Sequence, residues 1–377
     1  MANPIQSSAS LKASSSAAVV GRRGHGRVTL ADVAAHAGVT TMTVSRYLRS
    51  PERVAQLTAV SVAQALQKTG YSPNLQAGSL ASGRSQAVAV IVPNLTHSIF
   101  ADTLHGLGAG LQAEGLQMLV SSTGYSLALE EQQVRTVLGW APAAVVVTGR
   151  RHSAATQQLL QAAQTRGTPV VEIWDQSPHG KTHDFQQIGF DHVQVGVVMA
   201  KALMERGYKH LCFIDSGVEE DFRAHERAQG FLDTAQALGI HAELMQAAVG
   251  DAIEMGSECF ARWHGRIALR STPSVNTPLS CGFGFANDLL ATGAMLAAQK
   301  LGYAVPREIG MIGFGDFPVG RFCLGGLSTM HIDGERIGQA CANFIVTRLE
   351  MARSTGLSRA QQVRQVVLQP KLLWRGF

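Results

Sequence analysis

The chain has 377 residues, 46% of them hydrophobic, and a formal net charge of +5. That is enough to bury a large core in more than one domain, and no apolar run approaches the ~20 residues a helix needs to span a bilayer, which excludes a transmembrane helix. The five cysteines, Cys212, Cys259, Cys281, Cys323 and Cys341, are odd in number, widely spaced and free of any C-x-x-C pair, so neither a disulfide framework nor a structural zinc is expected, and the expected compartment is the reducing cytoplasm.

Residues 1–26 carry no secretory pattern, because Arg22 and Arg23 follow the apolar cluster at 17–20 instead of preceding it. They read as a disordered, basic Ser/Ala tail. The next stretch spells two short helices joined by a tight turn. Thr29 is placed to cap a helix whose apolar Leu30, Val33, Ala34 and Ala37 recur at i, i+3, i+4 and i+7, and Gly38 ends it. Thr40 then caps a second helix with Val44, Tyr47 and Leu48 inward and Thr41, Met42, Ser45, Arg46 and Arg49 outward. That outer set suits a major groove, so the pair reads as a helix-turn-helix. Charge agrees: residues 1–84 hold nine Lys or Arg against two acids, +7, and the rest of the chain sums to −2. A basic head on a nearly neutral body is the asymmetry of a module that meets phosphates; the blander reading is a basic tail on an ordinary enzyme.

A third helical pattern follows in Leu57, Val60, Ala63 and Leu66 and stops at Gly70. Residues 71–84 are polar and Gly-rich, with Leu75, Gln76, Ser79 and Leu80 at helical spacing. From here the order T-L-A-D-V-A-x-x-A-G-V-T-x-x-T-V-S-R-x-L, then G-Y-x-P-N, then a linker with a single wedge-type leucine, resembles the LacI/GalR family of transcription regulators. The resemblance implies a helix-turn-helix domain at 27–74, a hinge at 75–86 and an effector-binding and dimerisation body at 87–377. It implies that Leu80 wedges into the minor groove of a kinked operator, where unstacking a base step is repaid by the wrapped, bent site. Recognition positions carry over to Thr41, Met42 and Arg46. Arg46 suits a guanine edge or a phosphate, and Met42 a thymine methyl. Thr29, Thr43, Ser45 and Asn74 are backbone positioners, and Arg49 completes the DNA-facing set. Ala55, Thr58 and Ala59 depart from the family's usual pattern, which removes one or two phosphate contacts.

From residue 87 apolar strands, at 87–92, 117–121, 144–148, 169–173, 211–215 and 309–314, alternate with helical stretches such as 100–114, 193–206 and 288–301. That alternation predicts parallel sheets with helices on both faces. The resemblance implies two doubly wound lobes, like a periplasmic binding protein, joined by crossovers near 188, 315 and 343, with the ligand in the cleft at the strands' C-terminal ends. The strings M-T-V-S-R-x-L-R-x-P-E, P-V-V-E-x-x-D and I-G-F-D are most similar to the gluconate-repressor branch, which implies a sugar-acid effector. Such a ligand needs a cation for its carboxylate, hydrogen-bonding groups for its hydroxyls and an apolar wall. Arg227 matches the family's cleft arginine, with Arg223 one turn before it. Asn287 donates and accepts, Phe100 and Trp174 serve as wall, and Asp175 and Asp316 as hydroxyl acceptors. Gly315 replaces the carboxylate that many members carry, consistent with a negatively charged ligand.

No G-x-S-x-G, P-loop, H-E-x-x-H or complete G-x-G-x-x-G motif appears, and no catalytic, metal or cofactor site is expected. The expected partners are a palindromic operator, a second copy of the chain and a small sugar acid. A neutral-sugar or corepressor-dependent regulator, and a cytoplasmic sugar-binding receptor, remain as alternatives. The polar stretch 266–281 has no assigned role.

Overall fold

The computed structural model describes residues 28–72, 85–96, 99–178, 183–270, 280–323, 325–355 and 365–376. The expected tail at 1–26, the linker with Asn74 and Leu80, and most of the stretch 266–281 lie outside them. Two compact units divide at Gly78 and Ser79.

The first unit contains α1 (Leu30–Ala37), α2 (Thr41–Arg49), a 3-10 turn at Pro51–Arg53, and α3 (Gln56–Thr69). Its start is set by a capping box. The Thr29 N–H donates to Asp32 Oδ2 at 2.7 Å, and Thr29 Oγ1 accepts from the Asp32 amide at 3.4 Å, which satisfies amides that have no partner within the helix. The Thr29 backbone and side-chain donors hold the Asp32 carboxyl below its usual range. Gly38 closes α1 in the left-handed region, φ 67°, and Thr40 opens α2 by accepting from the Thr43 amide at 3.3 Å. Val33, Ala34, Val44, Val62 and Ala65 form the core.

The helical pattern at 57–66 falls within α3, but most of its apolar positions do not face the core. Leu57 is 86% exposed and Val60 51%, whereas Val62 and Ala65 are buried and Leu66 packs against them. The helix carries two apolar stripes. The one with smaller side chains, Ala59, Val62, Ala65 and Leu66, turns inward because α1 offers Ala34 and Ala37, and small residues on both helices allow close approach.

The second unit begins with β1 (Ala87–Val92), α4 (Ala101–Ala113), β2 (Gln117–Ser122), α5 (Leu127–Leu138), β3 (Ala144–Thr148), α6 (Ala154–Thr165), β4 (Val170–Ile173) and β5 (Gln186–Gly189). It continues through α7 (His192–Glu205), β6 (His210–Asp215), α8 (Phe222–Ala237), β7 (His241–Gln246), α9 (Ala252–Arg270) and β8 (Cys281–Phe285). Next come α10 (Asp288–Lys300), β9 (Ile309–Phe314), α11 (Pro318–Phe322) and β10 (Ser328–His331), then α12 (Gly334–Thr355), β11 (Gln365–Val367) and β12 (Lys371–Leu373). The sheets have strand orders β11-β5-β4-β3-β1-β2 and β12-β10-β9-β8-β6-β7. All pairings are parallel except β10 with β12. In β1, Val88, Val90 and Val92 pack on one face of the sheet and Ala89 and Ile91 on the other, against Val134, Val137 and Leu160. A strand covered by helices on both sides is therefore apolar throughout.

The chain crosses between the lobes at 189–192, at 331–334 and at 367–371, not near 315 and 343 as expected. Residue 315 follows β9, and β10 adds beside β9 in the same sheet. Residue 343 lies inside α12, which packs on α4 of the first lobe so closely that a Cβ at Gly106 would strike the Glu335 backbone. The chain changes lobe where it enters this helix, since a helix cannot be broken to cross. Among the described residues no helix is long and apolar enough to cross a membrane.

Candidate functional site

In the first unit, Thr41, Met42, Arg46 and Arg49 are exposed on one side of α2, with Met42 at 68%. Arg49 folds back on its own helix, donating to the Ser45 carbonyl at 3.3 Å and Ser45 Oγ at 3.2 Å. Thr43 Oγ1 pairs with Thr40 Oγ1 at 3.0 Å, and Thr29 is engaged in the capping box. Thr41, Met42 and Arg46 are thus the side chains of this helix that project without a partner among the described residues, a short polar and apolar row carrying one cation.

In the second unit, the C-terminal ends of the strands in both sheets enclose a cavity of about 290 Å³. Loops after parallel strands converge there because both sheets reverse strand order at that edge. Of the expected residues, Phe100, Trp174, Arg223, Arg227 and Asn287 line the cavity. Phe100, Trp174 and Phe314 line it, and Phe190 behind them completes a chain of rings: Phe100 to Trp174 at 5.3 Å, Trp174 to Phe190 at 5.8 Å, and Phe190 to Phe314 at 6.1 Å between centroids. Trp174 has φ 63°, a conformation that costs a non-glycine residue ~1 kcal/mol or more. It is held by its indole N–H, which donates to Thr103 Oγ1 at 2.8 Å.

Arg227 is 4% exposed. Its guanidinium lies 3.9 Å above the Phe314 ring and donates to the Ala286 carbonyl at 2.8 Å and to His192 Nδ1 at 2.9 Å. His192 Nε2 meets the Trp174 carbonyl at 2.8 Å. A carbonyl only accepts and a guanidinium only donates, so His192 is the neutral Nε2–H tautomer. Burial, then the charges of Arg227 and Arg223, push its pKa well below the ordinary value. Among the described residues no carboxylate forms an ion pair with Arg227, and its Nε is buried without a hydrogen-bond partner. A buried cation with unused donors attracts an anion.

Asn287 Oδ1 caps α10, accepting from the amides of Leu289 and Leu290 at 3.0 Å each. Asp175 and Asp316 do not line the cavity. Asp175 accepts from Arg150 Nε at 3.1 Å, and burial raises its pKa to about 6. Asp316 takes Arg375 at 2.6 Å, Arg321 at 2.8 Å and His331 at 3.1 Å. Both carboxylates follow a strand, as expected of ligand residues, but nearby cations claim them. The sequence reading overlooked Tyr125, His192, Asp221, Asp251 and Phe314, all of which line the cavity. Position alone could have found them, since Tyr125 follows β2 and His192 follows β5. Asp221 caps α8 through the Ala224 amide, and Asp251 accepts from the amides of Ile253 and Glu254.

A helix-turn-helix unit followed by a two-lobed body with three crossovers and a lined cleft defines a DNA-binding transcription regulator built on a binding-protein-like fold. Residues 29–74 match the family described as bacterial regulatory proteins, lacI family, and residues 200–376 match the periplasmic binding protein-like domain. The chain is 33% identical over 324 residues to the HTH-type transcriptional regulator GntR of Pseudomonas aeruginosa, covering 85% of this chain and 89% of that one. It is 30% identical to the regulator of the same name from Escherichia coli K12, covering 86% and 92%. A solved LacI-family transcriptional regulator from Silicibacter pomeroyi superposes with a TM-score of 0.80 at 31% identity, covering 93% of this chain and 98% of that one. The chain belongs to the lacI family of bacterial regulatory proteins.

Proposed function

We propose that this regulator is a homodimeric, cytoplasmic repressor of sugar-acid utilisation genes of the gluconate type, released from a palindromic operator by a small sugar acid. The observation that carries the ligand class is Arg227, a buried guanidinium with no carboxylate partner among the described residues and an unsatisfied Nε, stacked on Phe314. It takes the ligand carboxylate, and Arg223 adds charge beside it. Phe100 and Trp174 face the carbon chain, and Asn287, Asp221 and Asp251 serve the hydroxyls. The names of the GntR relatives support the same branch.

On DNA, Thr41, Met42 and Arg46 read base edges in the major groove, while Thr29, Thr43, Ser45, Arg49 and Asn74 fix the register on the backbone. Leu80 wedges the minor groove between the half-sites. One such head buries too little surface for tight, specific binding, so two heads related by a twofold axis are required. The edge strands β2 and β7 carry exposed Leu119, Val120 and Leu244, apolar surface that a second copy would cover. Ligand acts by binding the operator-competent and released states with different free energies, a coupling of typically about 1–3 kcal/mol.

Asp221 and Asp251 favour a second reading, a neutral polyol, because carboxylates in the same cavity repel an anion. Thermal shift of the full chain separates the two. Gluconate raises the melting temperature of the wild-type protein, by the equivalent of about 2.7 kcal/mol at a hundredfold excess over Kd, and leaves Arg227→Ala unmoved. Stabilisation by neutral hexoses alone overturns the sugar-acid reading.

A further inference from the structure

A cluster of polar contacts that joins the two lobes beside the cavity falls on one short stretch, the first two turns of α8 and the residue before its cap. Glu220 Oε2 accepts from the Leu127 amide at 2.9 Å, at the N-terminus of α5 in the first lobe. That amide has no partner within its own helix. Arg223 donates to the Thr148 carbonyl at 3.4 Å, and Gly149 leaves room for it, since a Cβ there would run into the Arg223 guanidinium. Glu226 Oε1 accepts from Arg150 Nη2 at 2.6 Å and Arg151 Nη2 at 2.9 Å, both in the loop after β3.

Arg150 is the centre of this arrangement. Its Nε pairs with Asp175 of its own lobe and its Nη2 with Glu226 of the other. Side-chain exposures of 18% for Arg150, 3% for Asp175 and 12% for Glu226 take the triad out of the class of exposed pairs that contribute little. A planar fork that spans two carboxylates also fixes orientation, which a point charge does not. The helix it docks carries both cations of the cavity, Arg223 and Arg227.

We propose that Arg150 is a positioning residue for effector binding: it pins α8 to the first lobe when the lobes meet, so that Arg223, and Arg227 already set within its own lobe, are brought up against the first lobe's wall of the cavity. Cleft closure and presentation of the cations are then one event, and the ligand gains affinity from an ion pair it never touches.

The test uses the full chain and two variants, Arg150→Gln and Glu226→Gln, with gluconate as the probe. The choice of probe rests on the sugar-acid reading; the exchange measurement does not. Without ligand, hydrogen exchange of the Leu127 amide is expected to quicken about tenfold in both variants, although neither change touches its acceptor, Glu220. Gluconate Kd is expected to rise about tenfold, as loss of one partner of a partly buried pair implies. Unchanged Leu127 exchange in Glu226→Gln overturns the proposal, since a purely local role for the triad leaves that amide protected. So does an unchanged Kd in a wild-type protein that binds gluconate. If Arg150→Gln does not fold, Glu226→Gln decides, because it leaves Arg150 paired with Asp175. If the wild-type protein does not bind gluconate, the ligand reading fails and the exchange result alone judges the positioning role.

Discussion

Asp288 shows how a single buried residue ties the stability of the second lobe to pH. Its carboxylate accepts from Thr329 Oγ1 at 2.6 Å and from the Phe317 amide at 2.7 Å, yet full burial raises its pKa from 3.8 to about 7. The native state therefore holds this proton more tightly than the unfolded chain. Its contribution to stability is complete below 3.8 and is lost as pH rises through about 7. Asp288→Asn carries no charge, so it should gain on the wild-type protein as pH rises from about 4 to about 7, by at most about 1.4 kcal/mol per pH unit; parallel pH–stability curves would falsify this assignment. Residue types were the most legible level for the cations that line the cavity and the least for the acids. Arg227 and Asn287 lie where sequence placed them, at the cavity. Asp175 and Asp316 follow strands just as ligand residues do, and only three-dimensional proximity shows that Arg150 claims one and Arg321, Arg375 and His331 the other.

Among the elements, the caps of the head are a measurable part of its stability. Gly38 has φ 67° and nothing within 4 Å of where a Cβ would stand, so Gly38→Ala meets no clash and costs only the left-handed backbone, about 1–2 kcal/mol. Amide exchange at Val33 and Val44 should quicken roughly 5–30-fold, and Gly38→Asn should recover part of the loss. The long apolar strands and the amphipathic helices were legible to within a residue or two, since their periodicity repeats over enough positions to be read. β5 was not, because its Gln186 and Gln187 look like surface residues. Both are buried, and Gln187 is satisfied by Glu172 at 2.6 Å and Ser177 at 3.0 Å. The buried face of α3 was not legible either: Leu57 outweighs Ala65 in hydrophobicity, yet Leu57 is exposed and Ala65 buried, because small side chains decide how near two helices come.

For the whole molecule, the two units divide the labour between nucleic acid and effector. Arg46→Ala should weaken binding to the specific operator by about 1–3 kcal/mol per half-site, read by fluorescence anisotropy, while calorimetry finds gluconate affinity unchanged. An equal fall in both affinities would sink the division. The positions of the crossovers were beyond sequence, because nothing in the local pattern says which sheet a strand joins; the short final strands, β11 and β12, go to different ones. That ending has a consequence for biosynthesis. Neither lobe is made from one continuous stretch, and both wait for the segment 334–373 to close their sheets. The three helices of the head are complete by Thr69. At about 5–20 residues per second, roughly 15–60 s of translation separate a head able to fold from a body able to respond. A chain cut short in that interval would carry a folded helix-turn-helix without the finished body that pairs two heads, and should hold its operator only weakly.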